Sequence, residues 1–366
     1  MFFRLAFILV LFTSCNSSLD KETMFKRIDL PHRKANIKMY DQPQQIKRSF
    51  YYWKSYDFEW QGEHEKFLNQ LNVDKLYVKF FEVEPSASFK AIPIDKTTLN
   101  LNGKSKMEIV PTVYVQNQAF KYYSRENVAE LAENIWFLVH KRLESNFNKT
   151  LVREIQIDCD WTKTTKEVYF ELLRQIKMKS QLDVSATLRL YPYKYPEIMG
   201  VPPVDRVMLM CYNLTNPVKS KSINSVLDVE EFGKYVTEKS SYTIPMDYVF
   251  PIFEYKLLYR QGDFQGMIYS DDIQIDQVAE PVSKLWYEVQ QDTVIDRIWF
   301  RKGDWIKWER VEEYEIRKVM DLVEDKMKFD SLTTISFFHL DERIMNKTYY
   351  ENLDYLYKYM APSPSY

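Results

Sequence analysis

Apolar positions along the chain follow two alternating rhythms. Short runs rich in β-branched and aromatic residues predict strands over 48–58, 75–84, 107–116, 153–161, 183–191, 205–213, 247–255 and 333–342. Between them the apolar spacing widens to the helical period. Val128, Leu131, Ala132, Ile135, Leu138 and Val139 form one such stripe, with Ser124 as its cap. Tyr169, Leu172, Leu173 and Ile176 form another, opened by Thr164 and Glu167 as a capping box. Shorter stripes follow strand one (Phe67, Leu68, Leu71) and strand six (Val229, Phe232, Val236). Helices also flank strand eight, through Ile316, Val319, Met320, Val323 and Met327 before it and Leu353, Leu356, Tyr357 and Met360 after it. Eight strands, each followed by a helix or connection, predict an α/β fold of the (β/α)8 TIM-barrel type over residues 47–360. The segment 256–308 is an inserted excursion between strands seven and eight, with turn signals at Gln261-Gly262-Asp263 and Lys302-Gly303-Asp304. An open doubly wound sheet is the alternative. The count of eight, without a glycine-rich switch-point loop, favours the barrel.

The first 46 residues break this rhythm. Arg4 precedes an apolar run from Leu5 to Phe12, too short to span a bilayer, and Thr13 and Ser14 then lead to Cys15. This resembles a bacterial lipoprotein signal, although Leu11 stands one place further from the cysteine than the usual pattern has it. The resemblance implies removal of the signal, lipidation of Cys15 and attachment of the protein to a membrane of the cell envelope. An ordinary secretory signal is the rival reading. Residues 16–46 carry six scattered cations and few apolar side chains, the composition of a solvated tether. Cys159 and Cys211 lie in strands that are not neighbours and are expected to be free, buried and structural.

Composition narrows the chemistry. Only 7 of 366 residues are glycine, and no closely spaced glycines precede a Lys-Ser/Thr or Gly-x-Gly pattern, so phosphate-cradling loops are excluded. The formal charge of −2 offers no basic field for nucleic acid. No Gly-x-Ser-x-Gly elbow occurs, and with 4 histidines and no His-Glu-x-x-His spacing no metal site or other cofactor is expected. The 27 Tyr, 23 Phe and 8 Trp are partly a compositional bias, so only those at strand ends count as candidate binding residues.

Barrel enzymes carry their chemistry at the carboxyl ends of the strands. Strand four reads Ile155-Gln156-Ile157-Asp158-Cys159-Asp160-Trp161-Thr162. Alternation sends Ile155, Ile157 and Cys159 toward the helices and Gln156, Asp158 and Asp160 into the barrel. Two inward carboxylates one pleat apart repel, which raises one pKa and suits proton sharing, while a structural pair satisfied by backbone and by Arg189 is the plainer alternative.

Strand four, with Met210-Cys211-Tyr212-Asn213 ending strand six, resembles the chitinase-like family of glycoside hydrolases. Asp158 and Asp160 match the second and third aspartates of that family's strand-four motif, and Met210 and Tyr212 its strand-six pair. Three positions depart: Ile155 stands for the first aspartate, Thr162 for the catalytic glutamate and Asn213 for the strand-six aspartate. The resemblance implies a (β/α)8 barrel acting on a glycan or glycopeptide. Threonine cannot protonate a glycosidic oxygen at neutral pH, so the family's mechanism does not carry over as it stands.

A substitute acid would have to come from another strand end. Glu254 is the first candidate, with Glu82, Glu84, Asp341 and Glu342 behind it. Asp158, Asp160, Glu254 and Tyr212 are thus the candidate catalytic residues. Trp53, Trp161, Arg189, Tyr191, Asn213, Tyr255 and His339 are the candidate substrate-binding residues, since aromatic rings suit the C–H faces of sugars and arginine suits carboxylates or anions. The expected protein is a monomeric, surface-anchored barrel that binds, and in one reading cleaves, a glycan. A non-catalytic glycan-binding or scaffold lipoprotein is the alternative.

Overall fold

The computed structural model describes residues 38–362 apart from 55–57, 60–61, 95–98, 101–106, 147–150, 239, 241, 269–272 and 346. Cys15, the signal segment and most of the tether lie outside these residues, as does Tyr269 in the excursion.

Eight parallel strands close into a ring. They are β1 (Ile46–Tyr52), β2 (Lys75–Ser86), β3 (Glu108–Val115), β4 (Glu154–Asp158), β5 (Asp183–Leu188), β6 (Arg206–Met210), β7 (Met246–Pro251) and β8 (Thr333–Phe338). Each pairs with its sequence neighbour, and β1 pairs with both β2 and β8, which closes the barrel. The helices α1 (Gly62–Gln70), α2 (Val128–Asn146), α3 (Lys166–Ser180), α4 (Leu190–Lys194), α5 (Pro196–Met199), α6 (Val229–Gly233), α7 (Glu313–Lys326) and α8 (Lys347–Tyr359) fill the connections. Among the described residues no helix joins β2 to β3. Lys90–Ile94, which no sequence period marks, pairs antiparallel with the end of β2 outside the ring. The structure is the (β/α)8 barrel that the strand count predicts.

Local corrections follow from competing hydrogen bonds. The Thr164–Glu167 box is not formed: α3 starts at Lys166, and the Thr165 hydroxyl takes the Thr162 amide while donating to Asn117. The helix expected from Ser124 begins at Val128, whose amide reaches the Ser124 carbonyl. The last residues assigned to the tether are held against the barrel, because Tyr40 and Phe329 exchange two backbone hydrogen bonds and Asp41 pairs with Lys328.

Period-two alternation divides the barrel residues between two environments. Ile155, Ile157 and Cys159 join the large core shared by strands and helices, and Cys159 and Cys211 are buried and unpaired, as expected. The inward residues are stacked in layers. At the amino-terminal end Lys75 meets Glu154 at 2.7 Å, and Arg206 grips Asp247 through two nitrogens. Above them Tyr51 stacks on Tyr77 at 4.8 Å, and the Tyr51 hydroxyl donates to Gln156, whose amide donates to Ser185. Lys75, Arg206, Tyr51 and Gln156 thus meet partners inside the barrel, as burial requires, whereas among the described residues no group hydrogen-bonds the buried Tyr77 and Ser336 hydroxyls.

The described residues of 255–309 form an antiparallel sheet with its own core, including Leu258, Ile268, Val289, Phe300 and Ile306. Gln261 and Gly262 both adopt positive φ, giving the two-residue turn that joins Tyr255–Arg260 to Asp263–Ile268. The excursion is therefore a small β unit rather than an irregular loop.

Candidate functional site

The carboxyl end of the barrel is filled unevenly. On the axis, Phe338 packs against Tyr51, Trp53, Tyr212 and Phe253 with ring centroids 5.2–5.8 Å apart. The open space lies to one side, over the ends of β4, β5 and β6. A cavity of about 570 Å3 is lined there by Asp160, Trp161, Thr162, Lys163, Arg189, Tyr191, Tyr212, Asn213 and Tyr235, among others. A second of about 500 Å3 adjoins it, sharing Arg189, Asn213 and Leu214 and walled by Tyr255 and Met267. Both fall in the range of small-molecule sites.

Arg189 organises this groove. The residue follows β5 in extended conformation, so its side chain projects from the barrel rim beside β4 and β6. One guanidinium nitrogen meets Asp160 at 2.9 Å and another donates to the Asn213 carbonyl at 3.0 Å. Asn213 presents that carbonyl because its φ of 53° turns the chain sharply after β6, a left-handed conformation that asparagine tolerates. Asp160 and Arg189 remain 48% and 39% exposed, so their pair faces the groove. Arg189 thus takes the structural pairing weighed from the sequence, with Asp160 as its partner.

Asp158 sits one pleat deeper and accepts a hydrogen bond from Thr187. Burial drives its carboxyl upward and the charge on Asp160 adds to this, while Thr187 and Arg189 oppose it; the result is a pKa of about 7. The repulsion expected from two inward carboxylates is therefore present, with burial the larger cause. Tyr212 stands beside them. Burial and the Asp158 charge raise its pKa well above the usual phenol value, so it is a hydrogen-bond donor at neutral pH. Tyr114, inward on β3, is pushed to about 12 by burial and the same two aspartates.

The sequence-derived candidates divide into three groups. Asp160, Trp161, Arg189, Tyr191, Tyr212 and Asn213 line the first cavity, and Tyr255 the second. Trp161 is largely core, stacked on Tyr169 at 5.3 Å with its indole N–H bound to the Met199 carbonyl. Trp53 belongs to the axial aromatic cluster, with Lys79 over its ring. Glu254 and His339 line neither cavity: Glu254 is 3.6 Å from Lys256, and His339 contacts the Leu340 carbonyl through Nδ1. Asp160 pairs with Arg189, and Glu254, the first candidate for a substitute acid, lies beside Lys256.

Thr162 lines the cavity with its hydroxyl among those of Thr164 and Thr165, so no acid stands at that position. Sequence reasoning missed Tyr114, which alternation along β3 could have found. Tyr235 was also missed, since it lies off the apolar stripe around α6 and carries no local signal. Among the described residues no three His, Cys, Asp or Glu side chains gather as a metal site.

No protein-family model matches the chain, and no curated protein matches it by sequence. Among solved structures, a chitinase from Chromobacterium violaceum superposes with a TM-score of 0.51, covering 87% of this chain and 99% of its own at 13% identity. The two share the fold, a (β/α)8 barrel. The Bacillus cereus spore cortex-lytic enzyme SleL gives 0.47 at 11% identity, over 85% of this chain and 74% of its own. A GH18 chitinase from Cycas revoluta in complex with (GlcNAc)3 gives 0.42 at 10%, over 85% and 99%. The likeness is one of architecture.

The shifted carboxyl has a measurable consequence. Asp158 titrates near 7 when folded and near 3.8 when free, so folding takes up a proton between these values. The stability that this group leaves intact at low pH is lost as pH rises through 7. Asp158→Asn should therefore match the wild type near pH 4 and exceed it by about 1–3 kcal/mol near pH 8, allowing for solvent access. Urea midpoints at the two pH values measure this; an equal gap at both would refute the shift.

Proposed function

We propose that this protein is an envelope lipoprotein whose barrel binds a glycan in the groove over β4, β5 and β6 without cleaving it. The supporting observation is the groove itself. It combines an exposed ring (Tyr191) and a half-buried one (Tyr235), a hydroxyl donor (Tyr212) and an ionic pair with spare valences (Asp160 and Arg189), a set suited to the C–H faces and hydroxyls of a sugar. The barrel of a chitinase with Thr162 at the acid position supports binding over turnover. The chitinase is a glycan enzyme by its name, and that substrate class comes to this chain only as part of the proposal.

Hydrolysis is the second reading, favoured by one observation: a carboxyl titrating near 7 holds its proton for much of the time at neutral pH, as a general acid must. Calorimetry of the mature domain with N-acetylglucosamine oligomers and glycopeptides, run beside a reducing-end assay, separates the two. Saturable binding without new reducing ends, weakened about tenfold by Asp160→Asn, is the expected result. Turnover abolished by Asp158→Asn would establish the second reading, and no binding of any glycan would end both.

Anchoring rests on the signal-like residues 1–15 and Cys15. Expressed in a bacterium with lipoprotein processing, the full chain should fractionate with membranes and Cys15→Ser should release it. Membrane retention of the variant would refute lipidation at that cysteine.

A further inference from the structure

The segment between β6 and α6 leaves the barrel at Asn213 and returns at Val226, closed by amide hydrogen bonds from Asn213 to the Val226 carbonyl and from Leu214 to the Ser225 carbonyl. Its first residues, Leu214 to Pro217, wall the second cavity. Apart from the Lys219 and Ser220 amides, both bound to the Asn216 carbonyl, and the Asn216 side chain, which accepts from the Val218 and Lys219 amides, it has little regular structure to hold it. What holds it is the inserted sheet. Lys307, on the strand Trp305–Glu309, is fully buried. Its ammonium donates to the carbonyls of Ser220, Ile223 (3.0 Å) and Pro217 (3.5 Å) and is ion-paired with the equally buried Glu309.

A buried ammonium is costly unless its donors are satisfied, and here three of the four oxygen partners are backbone carbonyls of a single loop. Loss of that loop conformation would leave the charge partly unpaired, so the ammonium and the loop fix each other. Secondary ties point the same way. Ser225 donates to Glu309 and shares a hydrogen bond with the Tyr255 hydroxyl, Asn224 donates to the Arg310 carbonyl at 2.6 Å, and the Trp286 indole donates to the Lys221 carbonyl at 2.8 Å. Tyr255 itself faces the second cavity.

We propose that Lys307 is a positioning residue for ligand binding: from inside the inserted sheet it fixes the 214–225 loop, and with it the wall of the second cavity. This rests on the groove being a glycan site, and it adds that the insertion governs affinity for chains long enough to pass from the first cavity into the second. The first cavity takes only Leu214 from this loop, so a short ligand held there is indifferent to Lys307.

The test compares the full mature protein with Lys307→Met and Lys307→Arg, using the disaccharide and hexasaccharide of N-acetylglucosamine and amide exchange over 214–225. Lys307→Met should speed exchange in the loop and weaken the hexasaccharide about tenfold while leaving the disaccharide within about twofold. Lys307→Arg, which keeps the charge and donors, should recover part of the loss. A merely structural role would lower the melting temperature and shift both sugars alike. Should Lys307→Met fail to fold, Trp286→Phe removes one tie with little change of shape and is read by the same two measurements. Unchanged loop exchange in a folded variant, or equal effects on both sugars, overturns the proposal. If the wild type binds neither sugar, the glycan reading falls and the role in binding with it, while the exchange data still show whether Lys307 holds the loop.

Discussion

A closed parallel barrel wrapped in helices leaves its inward side chains no route to bulk water except at the two ends. In this chain that constraint falls on a strand-four sequence that alternates strictly between apolar and polar residues. The helices claim Ile155, Ile157 and Cys159, so Gln156, Asp158 and Asp160 must enter the barrel, and each depth imposes its own solution. Gln156 is satisfied by Tyr51 and Ser185 in the middle. Asp158 is met by one hydroxyl, and burial holds its proton on to about pH 7. Asp160 reaches the rim and pairs with Arg189. One alternation therefore generates the polar interior, the perturbed carboxyl and the charged groove.

The same constraint explains where the groove lies. Large aromatic residues close the axis, so Phe338, Phe253 and Trp53 occupy space that could otherwise hold a ligand. The remaining opening is off-centre, where α4, α5 and the segment after β6 stand apart. The inserted sheet then supplies a wall beyond it, tied to the segment after β6 by Lys307 through backbone carbonyls and by Glu309 through the Ser225 hydroxyl.

Much of the fold was legible because two periods carry it. The alternation of β4, the apolar run of β8 and the stripes of α2, α3 and α7 have lengths and spacing that mark eight strand–helix repeats and favour the barrel over an open sheet. The strand pairing β2 makes with Lys90–Ile94 was not legible, since an edge pairing leaves no periodic signature in so short a segment. Thr164 failed as a cap for a different reason: three neighbouring threonine hydroxyls compete for the same groups, and Asn117, distant in sequence, decides the outcome.

At the site, alternation remained readable one or two residues past a strand end, as for Arg189 after β5 and Asp160 after β4, and failed further out. Glu254 follows β7 by three residues, where the chain has already left the ladder, and its direction is set by the insertion that begins at Tyr255. Tyr235 enters the cavity only because α6 is short and the chain turns back over the mouth. Arg189 was legible as an inward residue, but its choice of Asp160 over Asp158 depends on depth, which spacing alone does not supply.

The most direct test of the account is a crystal structure of the mature domain soaked with an N-acetylglucosamine oligomer. The expected density is an intact sugar lying off the barrel axis, with a ring against Tyr191 or Tyr235 and hydroxyls on Asp160, Arg189 and Tyr212. Sugar density on the axis after displacement of Phe338, a cleaved product in the groove, or an oligomer bound away from β4 to β6 would contradict it.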